Sequence, residues 1–209
     1  MKLLKLTILL SSVAAVLIII QSCSQIQRIT QQLENLKRLQ FKLDNVSGFR
    51  LAGIDISNKR SINDVSLMDG LKLTQAFATK SFPADFILNV AAKNPNDGKG
   101  GSQQTMATLK SLDWTMYIDD VRTIDGNINH SIDIPGTGQT SNIPLGVSLD
   151  LYKFLGSQGY NKVINLAMNL GGVGGSPSRL KLDAQPTVET PMGPITYPGR
   201  ITIVDKEFR

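Results

Sequence analysis

A recurring two-residue alternation of apolar positions from Phe86 onward does most to limit the folds open to the chain. Phe86, Leu88, Val90 and Ala92 alternate with other residues up to Asn94-Pro95-Asn96-Asp97-Gly98, a run of turn-forming residues. Leu112, Trp114, Met116 and Ile118 alternate with Asp113, Thr115, Tyr117 and Asp119. Ile128, His130, Ile132 and Ile134 form a third set, and Leu145, Val147, Leu149 and Leu151 a fourth. Successive strand residues point to opposite faces, so this period buries one face and leaves the other wet. A sheet with one greasy face must cover it, and a second sheet does so most directly. The expectation is a mainly β chain: an antiparallel sandwich of the immunoglobulin/fibronectin-III kind, with about seven to nine strands. One or two added helices and a preceding N-terminal helix complete the expected architecture.

The remaining segments fit around that frame. Phe49 and Leu51 share a face, and Ile54 and Ile56 continue out of phase after Gly53, which predicts a β-bulge there. Ser66-Leu67-Met68-Asp69 predicts a capped helix start, with Leu67/Leu71 and Leu73/Phe77 as i,i+4 pairs up to about Thr79. Leu151, Phe154 and Leu155, then Val163, Ile164, Ala167 and Leu170, predict a helical stretch broken at Gly156 to Gly159. Gly171-Gly172 is placed to end it. Leu180, Leu182 and Ala184 open a further strand, and Ile195 to Val204 forms a last one. Pro83, Pro135, Pro144, Pro194 and Pro198 are expected at strand ends, where they limit edge pairing.

The N-terminus reads as an address. Lys2 and Lys5 precede an apolar run from Leu6 to Ile20, which is short for a bilayer-spanning helix. The run ends in Ile20-Gln21-Ser22-Cys23, which resembles the bacterial lipoprotein signal. That resemblance implies cleavage between Ser22 and Cys23 and acylation of Cys23. A small Ser22 admits the peptidase, only a thiol forms the thioether, and two or three acyl chains anchor a protein stably. Ser24-Gln25 follows, with no Asp at the second position and no acidic run. These features favour the outer membrane, facing the periplasm. The expected organisation is a signal over 1–22, a lipid anchor and helical tether over 23–40, and one sandwich domain over 41–209. The tether's apolar stripe is Ile26, Ile29, Leu33, Leu36 and Leu39.

Four motifs in order resemble the LEA type 2 family, whose core is the WHy (water stress and hypersensitive response) domain. Asn89 to Asn96, reading Asn-Val-Ala-Ala-Lys-Asn-Pro-Asn, is similar to that family's strand ending in N-P-N. Leu112-Asp113-Trp114-Thr115-Met116-Tyr117-Ile118 is similar to its next strand. Gly126 and Ile143-Pro144-Leu145-Gly146-Val147-Ser148-Leu149 resemble a glycine turn and a further strand. Pro191-Met192-Gly193-Pro194-Ile195-Thr196-Tyr197-Pro198 resembles its late hairpin. The match spans 82–204. It implies a fibronectin-like sandwich with an added helix, a link to stress and desiccation tolerance, and no enzymatic activity.

The chemistry-bearing residues fit a non-enzyme. One Cys and one His exclude an internal disulfide, a Cys-based metal site and paired-His ligation. His130, on an apolar strand face, is expected to be a partly buried structural residue, with no triad around it. Asp113, Asp119, Asp120 and Asp125 lack the spacing of a calcium loop and read as a solvated face and turn. Asp97 to Ser102 is not a phosphate loop, and Gly171 to Gly175 is not a dinucleotide fingerprint. The Asn45 and Asn129 sequons read as chance, and Trp114 as a core aromatic. A formal charge of +5, part of it in the signal, is too small to indicate nucleic acid. Neither cofactor nor metal is expected.

The functional expectation is therefore a membrane-anchored envelope lipoprotein that binds, scaffolds or protects under stress. Its expected partners are the membrane, through Cys23, and another envelope protein. The alternative is a carrier of an apolar ligand such as a lipid, held between the sheets and the Leu151–Leu170 helix.

Overall fold

A computed structural model describes residues 30, 34–57, 59, 62–99, 104–170, 180–190 and 193–203. The chain divides into two units, Met1–Arg38 and Leu39–Arg209. In the first, residues 34–37 are helical, and the Arg38 amide donates to the Glu34 carbonyl at 3.2 Å. The expected signal, Ser22, Cys23 and most of the tether lie outside the described residues. Among the described residues, no helix is long and apolar enough to cross a membrane.

The second unit is the expected β-sandwich, and every strand pairing in it is antiparallel. One sheet runs β2-β1-β3-β7, from β1 (Gln40–Leu51), β2 (Ile54–Asp55), β3 (Pro83–Lys93) and β7 (Thr140–Asp150). The other runs β10-β8-β4-β5, from β4 (Ala107–Ile118), β5 (Val121–Gly126), β8 (Leu180–Glu189) and β10 (Ile201–Ile203). In that second sheet β6 (Ile132–Ile134) also pairs with β4, and β9 (Ile195–Thr196) with β8. The alternating residues named above form the core: Phe86, Leu88, Val90, Leu112, Trp114, Met116, Leu145 and Val147 are all buried. Burying each such side chain is worth about 1.5–3 kcal/mol.

Helices complete the domain. Helix α1 (Leu67–Ala78) starts where the sequence indicates: the Ser66 hydroxyl accepts the Asp69 amide at 3.1 Å. Its two apolar pairs part company. Leu73 is buried and Phe77 meets Phe82, Tyr152 and Tyr160 edge-on at centroid distances of 5.0 to 5.9 Å. Leu67 and Leu71 are 83% and 58% exposed. Helices α2 (Leu151–Leu155) and α3 (Tyr160–Leu170) flank a 3₁₀ turn at Gly156–Gln158, the predicted break. Asp150 caps α2 and also accepts the Phe82 amide at 2.8 Å, joining the helix to the start of β3.

Four expectations need correction. Gly53 is not at a bulge: Ala52 and Gly53, both with positive φ, form the two-residue turn between β1 and β2. The phase break there is a change of strand. The predicted strand through Ile128 and His130 exists only as β6, because the Asn127 side chain takes the Leu112 amide at 2.8 Å and ends the ladder. The last strand is two, β9 and β10, separated by 197–200, where Pro198 has no N–H to offer. Pro144 is not at a strand end but inside β7, opposite Asn89. Leu151 donates to Phe82 in this register, so odd-numbered β7 residues bond β3 and even-numbered ones face the open edge. The missing N–H of Pro144 therefore interrupts the free edge of the sheet. Gly171-Gly172, the expected helix stop, lies outside the described residues.

Candidate binding cleft

The outer face of the β2-β1-β3-β7 sheet carries a cleft of about 320 Å³, lined by Lys42, Asp44, Ala91, Thr140 and Asn142. Strand registry builds it. Lys42 and Asn142 lie on either side of Ala91, and Gln40 and Thr140 on either side of Lys93. Alanine on the central strand leaves a low floor between two taller walls. Ala91 is buried even though it faces outward.

A bulge in β1 shapes one wall. Leu43 pairs with Val90 and Asn45 with Asn89, so Asp44 is the extra residue. Were Asp44 paired in regular alternation instead of bulged, Asn45 would point into the core. With the bulge, Asn45 joins a ladder of amides across three strands. The Asn89 side-chain amide donates to the Asn45 carbonyl oxygen at 2.8 Å and to the Ser47 hydroxyl at 3.0 Å. The Asn142 amide donates to the Asn89 oxygen at 2.9 Å, and Asn45 donates to the Asp44 carboxylate at 2.8 Å. Two cleft residues, Asp44 and Asn142, are thus held at opposite ends of one network centred on the buried Asn89. The local signal was the polar pair Asp44-Asn45 interrupting Leu43 and Val46. It was legible as a break in phase, but its meaning depended on the strands it faced.

The opposite outer face is bound to itself. The Arg200 guanidinium donates to Asp113 at 2.6 Å, to the Asp183 carbonyl at 2.7 Å and to the Thr115 hydroxyl at 3.3 Å. Asp125 accepts from Thr115 and from Arg122, both at 2.7 Å. The Thr115 hydroxyl, then Arg122, hold the Asp125 carboxyl below its ordinary value, and the same pairing raises Arg122. Asp119 and Asp120 form the β4–β5 turn, both with positive φ. Among the described residues, no group of three or more His, Cys, Asp or Glu could hold a metal ion.

The other residues singled out in the sequence are scattered. His130 is exposed in a bend rather than partly buried on a strand, because the chain has already left the sheet at Asn127. Trp114 is a core residue, 2% exposed, and its indole N–H has no hydrogen-bond partner among the described residues. Its ring lies on Gly126, where a Cβ would come within 2.2 Å of it. Asn94 and Asn96 are more than turn-formers: both are buried. The Asn94 amide donates to the carbonyls of Thr105 at 2.8 Å and Ile134 at 3.0 Å. Its oxygen accepts the Asn96 backbone and side-chain amides. This knot ties β3 in one sheet to β4 and β6 in the other. In the 151–170 stretch Leu151, Leu155, Val163 and Ile164 are themselves buried, and Phe154 is half-buried. The late hairpin is present as the β8–β9 turn, in which Thr190 and Gly193 exchange backbone hydrogen bonds.

No family model and no curated protein matches the chain. Solved structures similar to it include a candidate late embryogenesis abundant (LEA) protein solved in solution. That structure is 16% identical, with 89% of this chain and 87% of that one covered and a TM-score of 0.35. A crystal structure of a protein from Archaeoglobus fulgidus is 9% identical over 61% of this chain and 82% of that one, with a TM-score of 0.32. An X-ray structure of a structural-genomics target is 10% identical over 60% and 74%, at 0.33. Likenesses of this size assign neither family nor activity.

Proposed function

We propose that this protein is a lipid-anchored, non-enzymatic binding module of the bacterial cell envelope, of the LEA type 2 kind. The observation that carries the anchor is Ile20-Gln21-Ser22-Cys23 at the end of the apolar run, with the chain's one Cys at the acylation position. The β-domain spans Leu39–Arg209, and 23–40 is read from the sequence as its tether. The binding role is supported by the cleft on the outer face of the β2-β1-β3-β7 sheet, with Lys42, Asp44, Thr140 and Asn142 on its walls. The four LEA-like motifs and the sandwich support the family, and a stress-protective role would be one use of such a module. The sequence features after Cys23 favour the outer membrane, facing the periplasm.

Replacing Cys23 tests the anchor. Cys23→Ala is expected to leave the precursor uncleaved and unacylated, readable as an intact-mass difference and loss of labelling by a fatty-acid analogue. A Cys23→Ala protein with the parent's processed mass and the parent's labelling would refute the anchor.

A further inference from the structure

We propose that the outward face of α1 rests on the bilayer that carries the acylated Cys23. The inference rests on the reading of Cys23 as a lipid anchor and adds a second contact between the protein and that membrane.

Helix α1 is apolar on two sides. Leu73 and Phe77, four residues apart, pack inward. At 3.6 residues per turn, Leu67, Met68 and Leu71 point away from Leu73, and they are 83%, 66% and 58% exposed. Single exposed apolar side chains are ordinary, but three within two turns of one helix mark a contact surface.

The size of the face speaks for a bilayer over a second copy of the chain. Three side chains expose a few hundred Å² at most, against roughly 800 Å² per partner in a stable protein interface. A bilayer needs no matching shape, and an amphipathic helix lies in its surface with the apolar side about 5–10 Å deep. Anchoring also removes the need for high affinity, because the lipid is already held close.

The covalent path permits this contact in any orientation. Sixteen residues lead from Cys23 to Leu39, and a chain spans at most about 3.3–3.6 Å per residue, so the path reaches roughly 55 Å. Strand β1 separates Leu39 from α1. Its start, Gln40, pairs with Lys93, and its end, Leu51, pairs with Ala84, close to the Phe82 that Phe77 touches. Its twelve residues cover about 40 Å. The path therefore exceeds the strand even when β1 stands upright on the membrane. Charge agrees with an anionic surface: 59–80 carries Lys59, Arg60, Lys72 and Lys80 against Asp64 and Asp69. Asp69 is engaged at the helix start, where it accepts from the Ser66 hydroxyl at 2.8 Å. Lys72, four residues after Met68, flanks the apolar face and is exposed.

The test uses the full acylated protein in vesicles of phosphatidylethanolamine with phosphatidylglycerol. Cys23 is the one natural Cys and is blocked once acylated, so a new thiol takes an environment-sensitive dye selectively. Met68→Cys is labelled, with Ser131→Cys, exposed in the bend before β6, as the comparison. Flotation with the vesicles reads the anchor. Quenching by a nitroxide on the lipid acyl chains reads the α1 face. The dye at Met68→Cys is expected to be quenched at least threefold more than at Ser131→Cys. Adding Leu67→Glu and Leu71→Glu should lower it to the Ser131→Cys level, with Trp114 emission showing that the fold is kept. In protein that floats, equal quenching at the two sites, or quenching that survives both Glu substitutions, would overturn the contact and leave the anchor standing. No quenching, with a dye shift that grows with protein density, would make the face a protein contact and overturn the bilayer. Protein that does not float would overturn the anchor, and this contact with it.

Discussion

Asn94 is expected to be one of the most costly polar positions to change. Its side chain makes four hydrogen bonds, all to groups at the junction of the two sheets. In Asn94→Ala the Thr105 and Ile134 carbonyls lose this donor and the Asn96 amides lose this acceptor, in a buried setting. At about 1 kcal/mol for each bond, the loss is about 4 kcal/mol. That is a large part of the roughly 5–15 kcal/mol that holds a domain of this kind together. With a denaturant slope of about 2 kcal/mol per molar in urea, the midpoint should fall by about 2 M. The chain's single Trp, buried in the core, reports the transition through its fluorescence. Asn94→Asp separates the donor role from simple space-filling. Its carboxylate keeps an acceptor for Asn96 but faces two carbonyl oxygens, so it should be less stable than Asn94→Ala at neutral pH. Folding then favours the protonated acid, which can donate one bond. Asn94→Asp should therefore regain stability relative to Asn94→Ala as the pH falls. An Asn94→Ala midpoint within experimental scatter of the parent would refute the reasoning, as would an Asn94→Asp protein as stable as the parent at neutral pH.

Three further outcomes follow from the packing. Gly126→Ala puts a methyl group 2.2 Å from the Trp114 ring, and the displacement should cost about 1–3 kcal/mol, seen as a lower midpoint and an altered emission maximum. Pro144→Val restores an N–H at the centre of the open β7 edge; sedimentation should show more self-association than the parent at equal concentration, and identical profiles would count against the edge argument. Asp125 has a lowered folded value, so its contribution is present above the unfolded carboxylate range near 3.9 and fades as the pH drops through the folded one. The stability gap between the parent and Asp125→Asn should narrow on acidification; the gap itself should be small, because the pair with Arg122 is exposed.

Local chemistry made several elements readable. Ser66 and Asp69 are three residues apart, so the cap needs no knowledge of the rest of the chain. Asp150 is less local: it caps α2 two residues onward and also binds Phe82, and only the capping part could be inferred nearby. The strands through Phe86, Leu112 and Leu145 were legible because burial on one face imposes period two. His130 had the same pattern and was misleading, since a single side-chain contact from Asn127 to Leu112 took the chain out of the sheet.

The cleft was the least legible feature. Lys42, Asp44, Ala91, Thr140 and Asn142 come from three strands, and their proximity depends on registry and on one bulged residue. Likewise, two apolar pairs on α1 looked equivalent, and docking buried Leu73 while leaving Leu67 in solvent.

The sequence by itself determined the strands through Phe86, Leu112 and Leu145 and the Ser66 cap, and carried the terminal Cys motif, because each follows from neighbours within a turn or a pleat. Tertiary structure alone decided which strands pair, which helix face is buried, and that Asn94 is a knot and Asn89 the centre of an amide ladder. Those outcomes depend on contacts between residues 11 to 53 positions apart, and no local preference encodes them.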